Sequence, residues 1–278
     1  MAAPVVKFKF LSPLFPHGFF LQWVLEGTLE NGVYSFDLYR SGGADGPWEA
    51  VAIGLTNKYA FEDRFLAPIG QDGGAAYLRP NNFAFSRVFY YKLLVKSPSG
   101  IELEAREESG SLIEGPTRGH YAAKIRDFRR GLLYNGMPLA LLKRRTWGKR
   151  CPVCYDARTK EPTRGNCSTC YGTSFEGGFW DPTYLIGRRS GVSTRTQNAP
   201  ENKADAAEFK VWIPDVPGMD QNDVVVCLKD RRRLRVDTQD QSEIRTAPVH
   251  QVLSTVEIPH DHVIYRFPVD SDLCKPFY

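Results

Sequence analysis

A mainly β chain made of two folding units joined by one short helix is what this sequence predicts. Three observations carry that expectation. Within 278 residues, 19 prolines and 24 glycines cut the chain into short pieces that suit strands and turns better than long helices. Most of those pieces alternate apolar and polar residues with a period of two. One stretch alone shows a convincing helical period. The expected organisation is a β-sandwich over residues 1–114, a basic helical linker over 115–136, and a small antiparallel β-barrel over 137–278 that carries an inserted, cysteine-bearing hairpin at 148–180. The length suffices for two cores.

From Val5 to Arg106 the chain reads as a succession of strands. FFLQWVLEG places Trp23 in the middle of an early strand. VYSFDLYRS puts Tyr34, Phe36, Leu38 and then Arg40 on one face. WEAVAIGL, YAFEDRF, VFYYKLLVKSPSG and IELEARE follow, with a Gly- and Asn-containing loop at 66–87. Strands at this spacing, with no helical period between them, predict an antiparallel sandwich. Trp23, Tyr34, Phe36, Tyr90 and Tyr91 are its expected core. The pair Glu107–Glu108 reads as solvated linker rather than as an acid–base dyad.

These features, in this order, resemble a fibronectin type III domain over about residues 5–107. The early Trp23, the YSFDLYRS strand with its small turn and the VFYYKLLVKSPSG strand carry the resemblance. It implies a spacer or adhesive unit, and the fold alone assigns no activity.

GPTRGHYAAKIRDFRRGLLYNG is the helical stretch, with Thr117 as its N-cap. Tyr121, Ile125, Phe128 and Leu132 fall on one apolar face, while Lys124, Arg126, Arg129 and Arg130 lie largely off it. MPLALLKRRTWGKRC then reads as a strand leading into the metal site. Net charge is only +4, but it is concentrated: residues 117–150 hold 10 Lys and Arg against 1 acidic residue. Lys143, Arg144, Arg145, Lys149 and Arg150 are therefore candidate contacts, either to nucleic acid phosphates or to an acidic neighbouring subunit. No aromatic platform is interleaved with them, which weakens the nucleic-acid reading.

CPVCYDARTKEPTRGNCSTC has the spacing C-x2-C-x12-C-x2-C. Each CxxC wraps its backbone so that two thiolates meet one ion. Cys151, Cys154, Cys167 and Cys170 are thus the expected ligands of one structural zinc ion, with no position left open for substrate. Gly165 and Asn166 favour the turn before the third ligand, and Gly172 suits the tight turn behind the fourth. The N-terminal MAAPVVKFKF lacks a signal-peptide layout. A reducing cytoplasm is therefore expected, where such pairs read as metal ligands before they read as disulfides. Cys227 reads as a buried strand residue and Cys274 as incidental. The pair His260 and His262 reads as an exposed turn.

Beyond the cysteines, TYLIGRRS, AAEFKVWIPDV, DVVVCLKDRRRLRVDT, HQVLSTVEIP and HVIYRFPVD read as barrel strands, the third of them as a hairpin turning at Lys229 to Arg232. The stretch 188–207 is polar and turn-rich, as expected of an exposed loop or an arm that orders against a partner. The run from DVVV through RLRVDT to HVIYRFPVD resembles the small β-barrels of tailed-bacteriophage neck proteins. CPVCYDARTKEPTRGNCSTCYGTSFEGGFWDP resembles a zinc segment of phage virion proteins. Together these resemblances cover about residues 145–270. They imply a virion component assembled in the host cytoplasm as a ring. Its neighbours would be portal, connector or tail-terminator proteins, with DNA passing through the channel.

No G-x-S-x-G, P-loop, H-E-x-x-H or dinucleotide Gly motif occurs, and the 5 histidines form no recognisable triad. An enzyme with a small-molecule substrate is therefore not expected. Nor is a membrane protein, since no apolar run reaches the roughly 20 residues needed to span a bilayer. A zinc-ribbon protein that binds nucleic acid or regulates is the alternative, and a baseplate or tail position is the second.

Overall fold

The computed structural model describes residues 4–14, 18–64, 89–108, 117–159, 163–190, 193–194, 207–244 and 247–270. They form fourteen strands, one α-helix and one 3-10 turn. The loop 66–87 and Cys274 lie outside these residues, as does most of 188–207. The chain divides into two compact units. The first comprises Met1–Ala123 with Trp147–Lys149 and Arg245–Ala247, and the second comprises the rest.

In the first unit, β1 (Val5–Leu14), β2 (Gly18–Glu26) and β5 (Ala60–Arg64) form a sheet in the order β1-β2-β5. A second sheet has the order β4-β3-β6-β7, built from β3 (Ser35–Ser41), β4 (Glu49–Thr56), β6 (Tyr90–Lys96) and β7 (Glu102–Glu108). All pairings are antiparallel. The inner faces meet through aromatic rings. Phe19 lies 5.9 Å edge-on to Tyr91, and Trp23 lies 5.3 Å from Phe36. Trp23, Tyr34, Phe36 and Tyr91 are buried as expected, whereas Tyr90 is half-buried. Such large apolar groups each stabilise the fold by about 1.5–3 kcal/mol. Trp147 joins this core, with its ring 5.2 Å from Phe36.

A charged group is also enclosed. Asp63 on β5 accepts from the Tyr91 hydroxyl at 2.8 Å and from the Arg40 guanidinium at 2.8 Å. Its pairing satisfies a carboxylate that is only 4% exposed. Glu107 and Glu108 are not linker residues: they end β7, opposite Tyr91 and Tyr90.

In the second unit, six strands close on themselves. They are β8 (Met137–Leu142), β9 (Thr183–Arg189), β11 (Ala207–Pro214), β12 (Val224–Cys227), β13 (Arg233–Ile244) and β14 (Ala247–Glu257). Their order is β9-β8-β12-β13-β14-β11, and pairing of β11 with β9 completes the barrel. The short β10 (Ser193–Thr194) adds to β11 outside the ring. Closure brings β9 close to both neighbours at Gly187. A Cβ there would lie 2.4 Å from Leu139 Cδ1 and 2.9 Å from the Trp212 carbonyl oxygen.

Leu139, Leu141, Phe209, Val211, Val225, Leu234 and Leu253 belong to one core cluster of this unit. The intervening residues of β8 and β12, Ala140, Leu142, Val224 and Val226, are buried too, in a second cluster with Phe179, Ile258 and Ile264. Burial on both faces explains why LALL and VVVC are unbroken apolar runs. The hairpin read from DVVVCLKDRRRLRVDT is present, with Val224 opposite Arg235 and Val225 opposite Leu234.

HVIYRFPVD is not a strand. Val263–Arg266 form a 3-10 turn capped by His262, whose ring accepts from the Ile264 N–H. The buried Arg233 guanidinium donates to the carbonyls of Ile264 and Phe267. Those acceptors are thereby satisfied without a sheet partner.

The helix α1 (Thr117–Asn135) stands where its period placed it. Ile125 and Leu132 are buried, and Phe128 stacks on His250 at 4.4 Å. The Tyr121 side chain lies outside the described residues. Lys124, Arg126 and Arg130 are exposed, and Arg129 approaches Asp215 at 3.9 Å. No described helix is long and apolar enough to cross a membrane.

Candidate metal centre

The connection from β8 to β9 carries all four cysteines of the C-x2-C pairs. Its outgoing and returning arms run antiparallel, with bridges between Arg144 and Phe179 and between Arg150 and Phe175. The Arg145 N–H donates to the Gly178 carbonyl at 3.0 Å, and the Cys151 N–H donates to the Ser174 carbonyl at 3.0 Å. The first cysteine pair sits on one arm and the second on the other, so arm pairing brings them together.

Cys151, Cys154, Cys167 and Cys170 place their sulfurs within 4.8 Å of one another, and all four residues are buried. The Cys151 and Cys167 sulfurs lie 3.9 Å apart, and those of Cys154 and Cys170 lie 3.2 Å apart. A disulfide needs about 2.05 Å. Four thiolates around one ion at about 2.3 Å sit about 3.8 Å from each other in a tetrahedron. The observed spacing brackets that value, so the cluster can hold a metal ion.

Burial raises the Cys154 and Cys170 thiols above their ordinary range. Burial acts the same way at Cys167, but backbone N–H groups of Cys170 and Thr169 donate to its sulfur and bring it down to about 6. Such donors favour the thiolate, the form that ligates metal.

Backbone turns hold each pair. The Tyr155 N–H donates to the Cys151 carbonyl at 3.3 Å, and the Tyr171 N–H donates to the Cys167 carbonyl at 2.8 Å. Gly172 has φ +83°, and a Cβ there would come within 2.8 Å of the Gly165 carbonyl oxygen. Gly172→Ala is expected to cost about 1–2 kcal/mol from the left-handed backbone alone, with a further cost from the clash. A denaturant midpoint shift of the metal-loaded chain measures it.

The basic run does not form the surface patch its composition suggests. Lys143 is 6% exposed. Its ammonium donates to Asp223 and Asp220, both at 2.6 Å, and to the Gly218 carbonyl at 2.9 Å. Arg145 donates from Nε to the Phe179 carbonyl at 2.9 Å, and its guanidinium lies 4.4 Å from the Trp180 ring centroid. Arg150 covers the Phe175 ring at 4.1 Å and the Tyr155 ring at 4.7 Å. Lys143, Arg145 and Arg150 are thus packing groups of the cysteine-bearing segment. Lys149 is exposed and Arg144 half-buried.

Sequence reading missed Asp223, and it read Asn166 as a turn residue without its contact to Val263. Asp223 also accepts from the N–H groups of Arg144 at 2.8 Å and Asp220 at 2.6 Å. Asn166 Oδ1 accepts from the Val263 N–H at 2.9 Å, tying the cysteine segment to the 3-10 turn. An acidic residue directly before the apolar VVVC was the available signal for Asp223. Cys227 is buried in the barrel as expected. His260 is exposed and lies 4.8 Å from the Tyr265 ring.

Fold and site together define a mainly β protein with a closed six-stranded barrel and a four-cysteine centre. The chain matches no protein-family model and no curated protein. The functional reading therefore rests on its own residues.

Proposed function

We propose that this chain is a structural assembly protein of a tailed-phage virion, placed in the neck as a connector, head-closure or collar component. In this reading one zinc ion staples the β8–β9 connection and takes no part in chemistry. The observation that carries it is the all-sulfur centre, in which the candidate ligands are four buried cysteines. Four thiolates saturate zinc and leave no position for water or substrate. A structural ion serves a segment rich in turns, which packing alone stiffens poorly.

The first unit supports the same reading. Its three-plus-four antiparallel strands, packed through Trp23 and Phe36, fit a fibronectin type III-like spacer. The partners would be further copies of the chain in a ring, neighbouring portal or tail-terminator proteins, and DNA in the channel. Burial of Lys143 and Arg145 in internal contacts weighs against the free nucleic-acid-binding alternative.

Cys167→Ser tests the reading. The variant is expected to be excluded from assembled particles while the first unit keeps its fold. Incorporation at the wild-type level contradicts the proposal, as does tight, salt-dependent binding of the free wild-type chain to nucleic acid without self-association.

A further inference from the structure

The outer face of the barrel carries a cavity of about 250 Å³. Strand register explains its chemistry. Val224 pairs with Leu142 on one side and with Arg235 on the other. Arg144, two residues beyond Leu142, bridges to Phe179. Side chains two apart share a face of a sheet, so Arg144 and Arg235 flank an apolar floor that includes Val224, Phe179 and Ile258. One wall is Tyr171 and Gly172 of the metal-bearing segment, and another is Pro259 and His262.

Charge in this cavity is unbalanced. Among the described residues, neither the Arg144 nor the Arg235 side chain has an ion pair, and the Arg144 contact with Asp223 comes from its main chain. The carboxylate of Glu257, which also lines the cavity, already faces Arg232 at 3.6 Å. Two available guanidiniums beside an apolar floor complement a carboxylate carried next to an apolar side chain. Size narrows the occupant further. Sites for whole small molecules run to about 300–1,000 Å³, and this one has room for one or two side chains.

We propose that the cavity docks an acidic, apolar-flanked segment of a partner protein. Arg144 and Arg235 grip its carboxylate, and the floor takes the adjacent aliphatic or aromatic side chain. The proposal goes beyond the assembly reading and does not require the particle to be a virion. Because the wall contributed by Tyr171 and Gly172 belongs to the cysteine segment, removing metal weakens docking.

The test is a calorimetric titration of the full, metal-loaded chain with a blocked peptide alternating glutamate and leucine. A peptide alternating lysine and leucine is the control. The acidic peptide is expected to bind saturably at one per chain, and the basic one not to bind. Arg144→Gln and Arg235→Gln should each weaken binding about tenfold, the loss expected of a charge-assisted contact. Arg235 is exposed on its strand, so Arg235→Gln is the variant least able to disturb folding, and unchanged metal content verifies it. Equal binding by the double variant overturns the proposal. So does absence of acidic-peptide binding, including the case in which benzoate alone binds at these arginines and assigns the cavity to a free organic anion.

Discussion

Cys170→Ser is expected to release the metal ion and melt the connection between β8 and β9 while leaving the barrel closed. Cys170 is 0% exposed and its sulfur lies 3.2 Å from that of Cys154. A hydroxyl there is a poor ligand and an unsatisfied buried group. Structural zinc in four-ligand units is worth about 10–16 kcal/mol of apparent binding free energy. A stability loss above about 4 kcal/mol follows, in the range reserved for lost metals and broken buried networks.

The loss has a defined reach. The main barrel cluster of Leu139, Val211, Val225 and Leu253 contains no metal ligand, whereas the outer cluster depends on Phe179 from the returning arm. Near-ultraviolet circular dichroism should therefore lose intensity from the region of Phe179 and Trp180 while far-ultraviolet strand signal persists. An unchanged melting temperature contradicts the role given to the centre.

Asp223→Ala is expected to cost about 3–5 kcal/mol, the penalty for leaving a buried charge without its partner. Lys143 would keep the carbonyl of Gly218 and the half-exposed Asp220 but lose its buried counterion. The N–H groups of Arg144 and Asp220 would lose their acceptor as well. Lys143→Met should also destabilise the fold, because it leaves the buried Asp223 carboxyl with only the N–H groups of Arg144 and Asp220.

The remaining Asp223 carboxyl has its pKa raised by burial, an effect Lys143 opposes in the native chain. With Lys143 gone, the folded-state pKa stands further above the unfolded value. The carboxyl then contributes stability fully below its unfolded pKa and loses it as pH rises through the folded one. Lys143→Met should accordingly lose stability, relative to the native chain, as pH is raised from acid to neutral. Paired denaturant titrations at the two pH values read this directly.

Much of this architecture was legible in the sequence, and the boundary of legibility has a physical cause. The four cysteines were readable because metal ligation fixes local spacing, and both halves of each knuckle lie within three residues. Strands β8 and β12 were readable because burial on both faces leaves an unbroken apolar run. Charged residues were not readable in the same way. Lys143 is enclosed by a carboxylate 80 positions away, and Arg233 by carbonyls 31 and 34 positions away. Sequence displays the charge but not the distant acceptor that permits its burial. The same holds for Val263–Arg266. An alternating pattern suggested a strand, and contacts from Arg233 and Asn166 made it a 3-10 turn.

Native mass spectrometry of the purified chain at neutral pH, repeated after denaturation with a chelator, tests the central claim most directly. The account predicts one zinc ion per folded chain, released only on denaturation, in a closed ring or in a monomer that joins a larger particle. A folded chain that carries no metal would contradict it.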